Sequence, residues 1–202
     1  MSEAGAISAD MVKRLRDITG AGMMDSKRAL QKAGGDLDRA QEILREQGKA
    51  GVEKRSGRQA SEGVVEAYVH GEGRVGVLVE VNCETDFVAR TPEFRELAHE
   101  IALQVAALPP RWIGRDEVPQ DVVEAERKIY EEQARATGKP EHVLERIATG
   151  KLEAFYRQTV LLDQPSIRDD SVTVGDLVKQ TAAKVGENVV VRRFARFALG
   201  RD

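Results

Sequence analysis

The apolar repeat of this chain changes period partway along, from about 3.6 residues to 2, and that change constrains the fold more than any other feature of the sequence. Helical spacing throughout would give a bundle, and alternation throughout a sandwich or barrel. A chain that switches from one to the other and back must set helices against an antiparallel sheet. Up to residue 48 the spacing is helical, in three short runs. Ser8 is a candidate cap for the first, with Met11, Val12, Leu15 and Ile18 on one face and the turn Gly20-Ala21-Gly22 at its end. Asp25 offers a second start, followed by Ala29, Leu30, Ala33 and the stop Gly34-Gly35; Asp36 offers a third, followed by Leu37, Ala40, Ile43 and Leu44 before Gly48. Residues 1–48 are therefore expected to form a three-helix bundle. Such a unit has little core and must lean on, or present itself to, something else.

Residues 49–61, KAGVEKRSGRQAS, lose the apolar repeat and read as a solvated linker or a polar helix extension, placing a domain boundary there. From residue 62 the period is two: Val64, Ala67 and Val69 around Tyr68, then Val75, Val77, Leu78, Val79 and Val81 across Gly71-Glu72-Gly73, a hairpin. Asn188 to Val191, with Phe194 and Phe197, supplies a third strand, about the minimum for an independently stable sheet. Between Thr91-Pro92 and Pro109-Pro110, the residues Phe94, Leu97, Ala98, Ile101, Ala102 and Val105 predict the helix that covers this sheet. Over about 119–162, interleaved charges flank a thin stripe of Val122, Ile129, Val143 and Ile147, broken at Gly138-Lys139-Pro140, which predicts a protruding helical hairpin. Thr173 caps a last helix with Val174, Leu177, Val178 and Ala182 on one side, ending at Gly186. The fold class is α+β, with residues 62–202 as the core.

Charge and cysteine content exclude several functions. Among 202 residues, 31 Lys and Arg against 34 Asp and Glu give a net charge of -3, so nothing drives bulk binding to nucleic-acid phosphates. A lone Cys83 and three histidines supply neither an intrachain disulfide nor a Cys/His zinc set. Met1-Ser2-Glu3-Ala4-Gly5 does not open an export signal and no run of about 18 apolar residues occurs, so a cytoplasmic protein without a membrane role is expected.

Few motifs suggest chemistry. Gly71-Glu72-Gly73-Arg74-Val75-Gly76 has the letters of a dinucleotide fingerprint, but both flanks are strands, so Gly71 and Gly73 serve a turn. Cys83 with His70, Asp86 or His99 would be a nucleophile and base, yet a thiol at the end of an apolar strand is usually a small buried hydrophobe. No catalytic residue, metal or cofactor is implied. Met23 and Met24 beside a glycine-rich turn diverge, so they either fill the bundle or form an adaptable binding surface. In Glu84-Thr85-Asp86-Phe87-Val88, Thr85 or Asp86 caps a short turn with Phe87 anchored in the core, or the segment is a projecting tip with an acid and an aromatic anchor.

At these same residues the chain resembles a known family. Leu15 to Leu30, LRDITGAGMMDSKRAL, and Val79 to Ala89, VEVNCETDFVA, closely resemble the two signatures of bacterial translation elongation factor Ts, and Gly186 to Phe194 resembles its terminal core strand. The resemblance implies a ubiquitin-associated-type helical module ahead of the α+β core, and guanine-nucleotide exchange on the GTPase elongation factor Tu. It implies that the tip Thr85, Asp86, Phe87 and Val88 wedges beside the nucleotide, Phe87 entering an apolar pocket and Asp86 disturbing the magnesium site. Met23, Met24 and Lys27 would hold another helix of the GTPase. The chain resembles the short form with one core copy, which implies a homodimer. Ala195 stands where some short members carry a cysteine, excluding a covalent dimer there, and Ser26 replaces a cysteine frequent in the first signature. The competing reading is an RNA- or ribosome-associated adaptor that contacts phosphate through Lys49, Lys54, Arg55 and Arg58.

Overall fold

In a computed structural model, which describes residues 7–200, most of the expected caps form; Met1 to Gly5 lie outside the described residues. The Ser8 hydroxyl accepts the Met11 N–H at 3.2 Å to start α1 (Ala9–Thr19), which Gly20 ends in the left-handed conformation. Helix α2 (Met23–Lys32) begins before Asp25. Gly22 takes the cap position, and Asp25 falls in the first turn, where its charge suits the positive end of the helix and pairs with Arg28 at 2.6 Å. Asp36 caps α3 (Leu37–Arg55) by accepting the Asp38 and Arg39 N–H groups. Helix α3 runs past Gly48 and through most of the connector, so the helix extension rather than the linker describes residues up to Arg55. Val12, Leu15, Ala29, Leu30, Ala33 and Ala40 make the bundle core. Ile18 shares their stripe but, in the last turn of α1, is exposed.

Three antiparallel strands, β1 (Glu62–His70), β2 (Val75–Cys83) and β3 (Val190–Ala198), pair in the order β1-β2-β3. Gly71, Glu72 and Gly73 all take positive φ in the first hairpin turn, so the three-glycine motif is a turn between strands. Val77, Val79, Val81 and Cys83 point to one face, which α4 (Asp86–Ala89) and α5 (Pro92–Ala107) cover, with α8 (Val174–Val185) packed against α5 and completing the same core. Thr91 caps α5 with Pro92 in its first turn, and Thr173 and Asp176 form a reciprocal capping box at α8. A bulge in β3 lets Val191, opposite Val81, and Phe194, opposite Val79, both face the core despite odd spacing. Among the described residues the other face of the sheet is bare: Val69, Gly76 and Phe197 form one row across the strands, and Ala67, Leu78 and Ala195 the next.

Helices α6 (Gln120–Arg135) and α7 (Glu141–Thr159) form the expected hairpin, reversed near Gly138, with their own apolar cluster of Val118, Leu152, Phe155 and Val160 against Trp112. Ile129, assigned to the apolar stripe, is exposed instead, because the inward side of α6 runs through Val122, Val123, Tyr130 and Ala134. Arg115 clamps that base, bonding Glu153 and Asp163 and stacking over Tyr156. Among the described residues no helix is long and apolar enough to cross a membrane.

Candidate functional site

The tip is built where β2 hands over to α5. Cys83 ends the strand fully buried, donating its S–H to the Thr85 carbonyl at 3.1 Å. Thr85 then caps the single turn of α4, its hydroxyl accepting the Val88 N–H at 3.4 Å. In one helical turn neighbouring side chains diverge by about 100°. Val88 and Ala89 therefore turn to the core while Phe87 turns out and is 78% exposed. Leaving a phenylalanine in water forgoes about 1.5–3 kcal/mol of burial. Of the two forms open to this segment, the structure has the threonine cap of the first and the projecting phenylalanine of the second. Asp86 stands beside it, half-exposed and paired with Arg90 at 2.8 Å.

Three residues outside the motif core hold this segment. Glu187, in the turn after α8, accepts the Glu84 and Thr85 N–H groups on Oε2 at 3.0 Å each and the Thr85 hydroxyl on Oε1 at 2.7 Å. Glu84 answers by accepting the Asn188 N–H at 2.7 Å, and its carboxyl is held below the ordinary glutamate range by that bond and by Arg58 at 3.4 Å. Asn188 in turn donates to the Ser56 and Arg58 carbonyls at 3.3 and 2.8 Å, tying in the end of the connector. Sequence reading missed Glu187 as a site residue. The available signal was an acid directly behind a helix-ending glycine, where the negative helix terminus disfavours it and some other partner must hold it.

Met23 and Met24 open α2 at 49% and 62% exposure, with Lys27 exposed one turn on, so neither methionine fills the bundle. Their turn rests on α8: the Lys184 stem lies 3.2 Å from where a Cβ on Gly20 would sit, and Ala183 lies 3.3 Å from the same position on Gly48. One helix end thus supports both patches, the methionine turn through Lys184 and the tip through Glu187.

The nucleophile set is not assembled. Burial, and secondarily the Glu187 charge, push the Cys83 thiol up to about 11; His99 bonds Glu66 at 2.9 Å, His70 bonds Tyr68 at 3.0 Å, and Asp86 pairs with Arg90. Among the described residues no three His, Cys, Asp or Glu side chains gather as metal ligands. Of the basic residues in the adaptor reading, Arg58 pairs with Glu84 and Lys54 and Arg55 close α3; the Lys49 side chain lies outside those described.

Residues 41–201 match a family model described as Elongation factor TS. The chain is 56% identical over 194 residues to the elongation factor Ts of Coprothermobacter proteolyticus, covering 96% of this chain and 98% of that protein. It is 55% identical to that of Carboxydothermus hydrogenoformans, over 96% and 89% of the two chains, and 53% identical to that of Fervidobacterium nodosum, over 96% and 98%. With the family model spanning most of the chain and these relatives nearly all of it, the chain belongs to the elongation factor Ts family.

Proposed function

We infer that this chain is the guanine-nucleotide exchange factor of elongation factor Tu in the cytoplasm, promoting GDP release so that GTP can bind, and that it acts by contact without making or breaking a bond. The projecting Phe87 is the observation that carries the reading, because an aromatic anchor raised on a braced turn is the kind of residue that dominates an interface. Phe87 enters an apolar pocket beside the nucleotide. Asp86 brings a negative charge toward the magnesium site, where the cation is a large share of the local charge. Thr85 and Val88 fix the turn from either side of the pair. Residues 1–48 form a GTPase-contacting module in which Met23, Met24 and Lys27 hold a second part of the GTPase, thioethers suiting an adaptable contact. Binding that favours the nucleotide-free GTPase must weaken GDP by the same factor, and each 1.4 kcal/mol of preference is about tenfold.

Two copies associate through the bare sheet face. Its apolar rows support this: Gly76 leaves a shallow seat between Val69 and Phe197, and Ala195 beside Leu78 carries no thiol, so the association is non-covalent.

Release of a fluorescent GDP from elongation factor Tu tests the reading. Catalytic amounts of the protein should accelerate it, and Phe87→Ala, with an unchanged unfolding midpoint, should slow it about tenfold or more. Wild-type rates for both Phe87→Ala and Asp86→Ala would remove the wedge. Met24→Ala should raise the concentration needed for half-maximal release while sparing the maximal rate.

A further inference from the structure

We propose that Glu187 is a positioning residue for nucleotide exchange, clamping Glu84 and Thr85 from behind α8 and so setting the direction in which Phe87 leaves the surface. This rests on the reading of Phe87 as the residue that enters the GTPase.

Phe87 has almost no packing of its own, at 78% exposure, so its direction is set by the turn that carries it. That turn, Asp86–Ala89, is too short to persist as a helix unaided, because the first helical turn fixes several residues for a single hydrogen bond. Its orientation must come from its ends. At the far end Thr91 secures the Val88 carbonyl, its hydroxyl donating at 2.8 Å. At the near end Glu187 is the carboxylate that touches both residues before Asp86, accepting three donors with its two oxygens. Hydrogen bonds to an ionised acceptor are roughly twice as strong as neutral ones.

The hydroxyl of Thr85 makes the effect directional. It has one proton, which goes to Glu187 at 2.7 Å, and this leaves its lone pairs for the Val88 N–H at 3.4 Å. Without the carboxylate the hydroxyl is free to rotate and the cap over α4 loosens. The return bond from Asn188 to Glu84 at 2.7 Å holds the two segments in register, although they lie 104 residues apart. Three of these four bonds are donated by backbone N–H groups, Glu84 and Thr85 on one segment and Asn188 on the other, so a shift of either segment breaks both sets.

A role confined to stability and a role in positioning give different kinetics. Loss of folded protein raises the concentration of factor needed for half-maximal GDP release and leaves the maximal rate alone. A misdirected Phe87 lowers the maximal rate itself. The test is release of fluorescent GDP from elongation factor Tu at rising concentrations of Glu187→Ala, Glu187→Gln, Phe87→Ala and the Phe87→Ala/Glu187→Ala pair. Glu187→Ala should lower the maximal rate about tenfold and shift the half-maximal concentration less than about threefold. Glu187→Gln, which keeps one acceptor oxygen where the carboxylate uses two, should recover only part of the loss, leaving the maximal rate about two- to threefold below wild type. Added to Phe87→Ala, Glu187→Ala should cost less than about twofold more, because it acts through that side chain.

Slow Phe87→Ala beside a wild-type maximal rate in Glu187→Ala overturns the positioning role and leaves the wedge standing. Losses that multiply in the pair overturn it as well. Wild-type exchange by Phe87→Ala overturns the wedge reading and the positioning role with it. If Glu187→Ala does not fold, Glu187→Gln decides, and an unchanged maximal rate in that variant overturns the proposal.

Discussion

Ser26 is fully buried in α2 beside Ala29 and Leu30, and among the described residues its hydroxyl has no hydrogen-bond partner. An unpaired hydroxyl in an apolar site costs about 1–3 kcal/mol. Ser26→Ala should therefore raise the unfolding free energy by about 1 kcal/mol, read from urea denaturation, and Ser26→Cys should do at least as well because a thiol behaves as a small hydrophobe. A lower stability in both would mean that the hydroxyl has a partner after all. Cys83 illustrates the opposite case: its S–H reaches the Thr85 carbonyl, so a polar atom at full burial is satisfied. At this scale the sequence spoke clearly about type and poorly about direction. Phe87 and the methionine pair stand out by kind, but whether they face the core depends on the turn beneath them. Phe87 turns out because Val88 and Ala89 take the inward positions, and Met23 turns out because α2 begins two residues before Asp25.

Elements whose starts depend on bonds three residues away were legible, as Ser8, Asp36, Thr91 and Thr173 show. Boundaries set by contacts distant in sequence were not. Helix α3 ignores Gly48 because it runs along α8 and Val52 packs against the core there, and no local pattern announces that. The bulge in β3 is equally silent, since strict alternation would send Val191 and Phe194 to opposite faces. The clasp between the turn after α8 and the end of β2 has the same origin, four bonds joining residues more than 100 apart. It also titrates. The Asn188 N–H, and then Arg58, hold the Glu84 carboxyl below its unfolded value, so its contribution is present above the ordinary glutamate range and is lost as pH falls through the depressed folded value. The gap in unfolding midpoint between the unsubstituted protein and Glu84→Gln should accordingly narrow as pH falls below the ordinary glutamate range. A gap that stays constant over that fall would show that the charge of Glu84 contributes nothing to the clasp.

At the scale of the molecule, the described helices cover one face of the sheet, and the opposite face keeps Val65, Val69, Leu78 and Phe197 exposed among the described residues. A sheet bare on one side is stable where that side is polar. Here its rows at Gly76 and Leu78 are apolar, bordered by the Glu80–Arg193 ion pair, and Phe197 is 73% exposed, which is why a second copy is the expected cover. Sedimentation equilibrium at micromolar concentration should give a dimer, and Phe197→Asp should give a folded monomer; a monomeric unsubstituted protein would exclude the pairing. The general architecture, helices then hairpin then helices then strand, followed from the changes of period, while the use of α8 as a common support did not. That helix end meets the methionine turn through Lys184 and the tip through Glu187, and α3 reaches it without a break. The separation between Met24 and Phe87 is consequently a property of the fold and not of a tether. Two modest contacts reinforce each other only when one target can engage both at once. On the reading proposed for Met24 and Phe87, the molecule is a gauge: a surface offering either pocket alone, or both at the wrong span, would gain only a single weak contact, and selectivity for one GTPase would be written in a length.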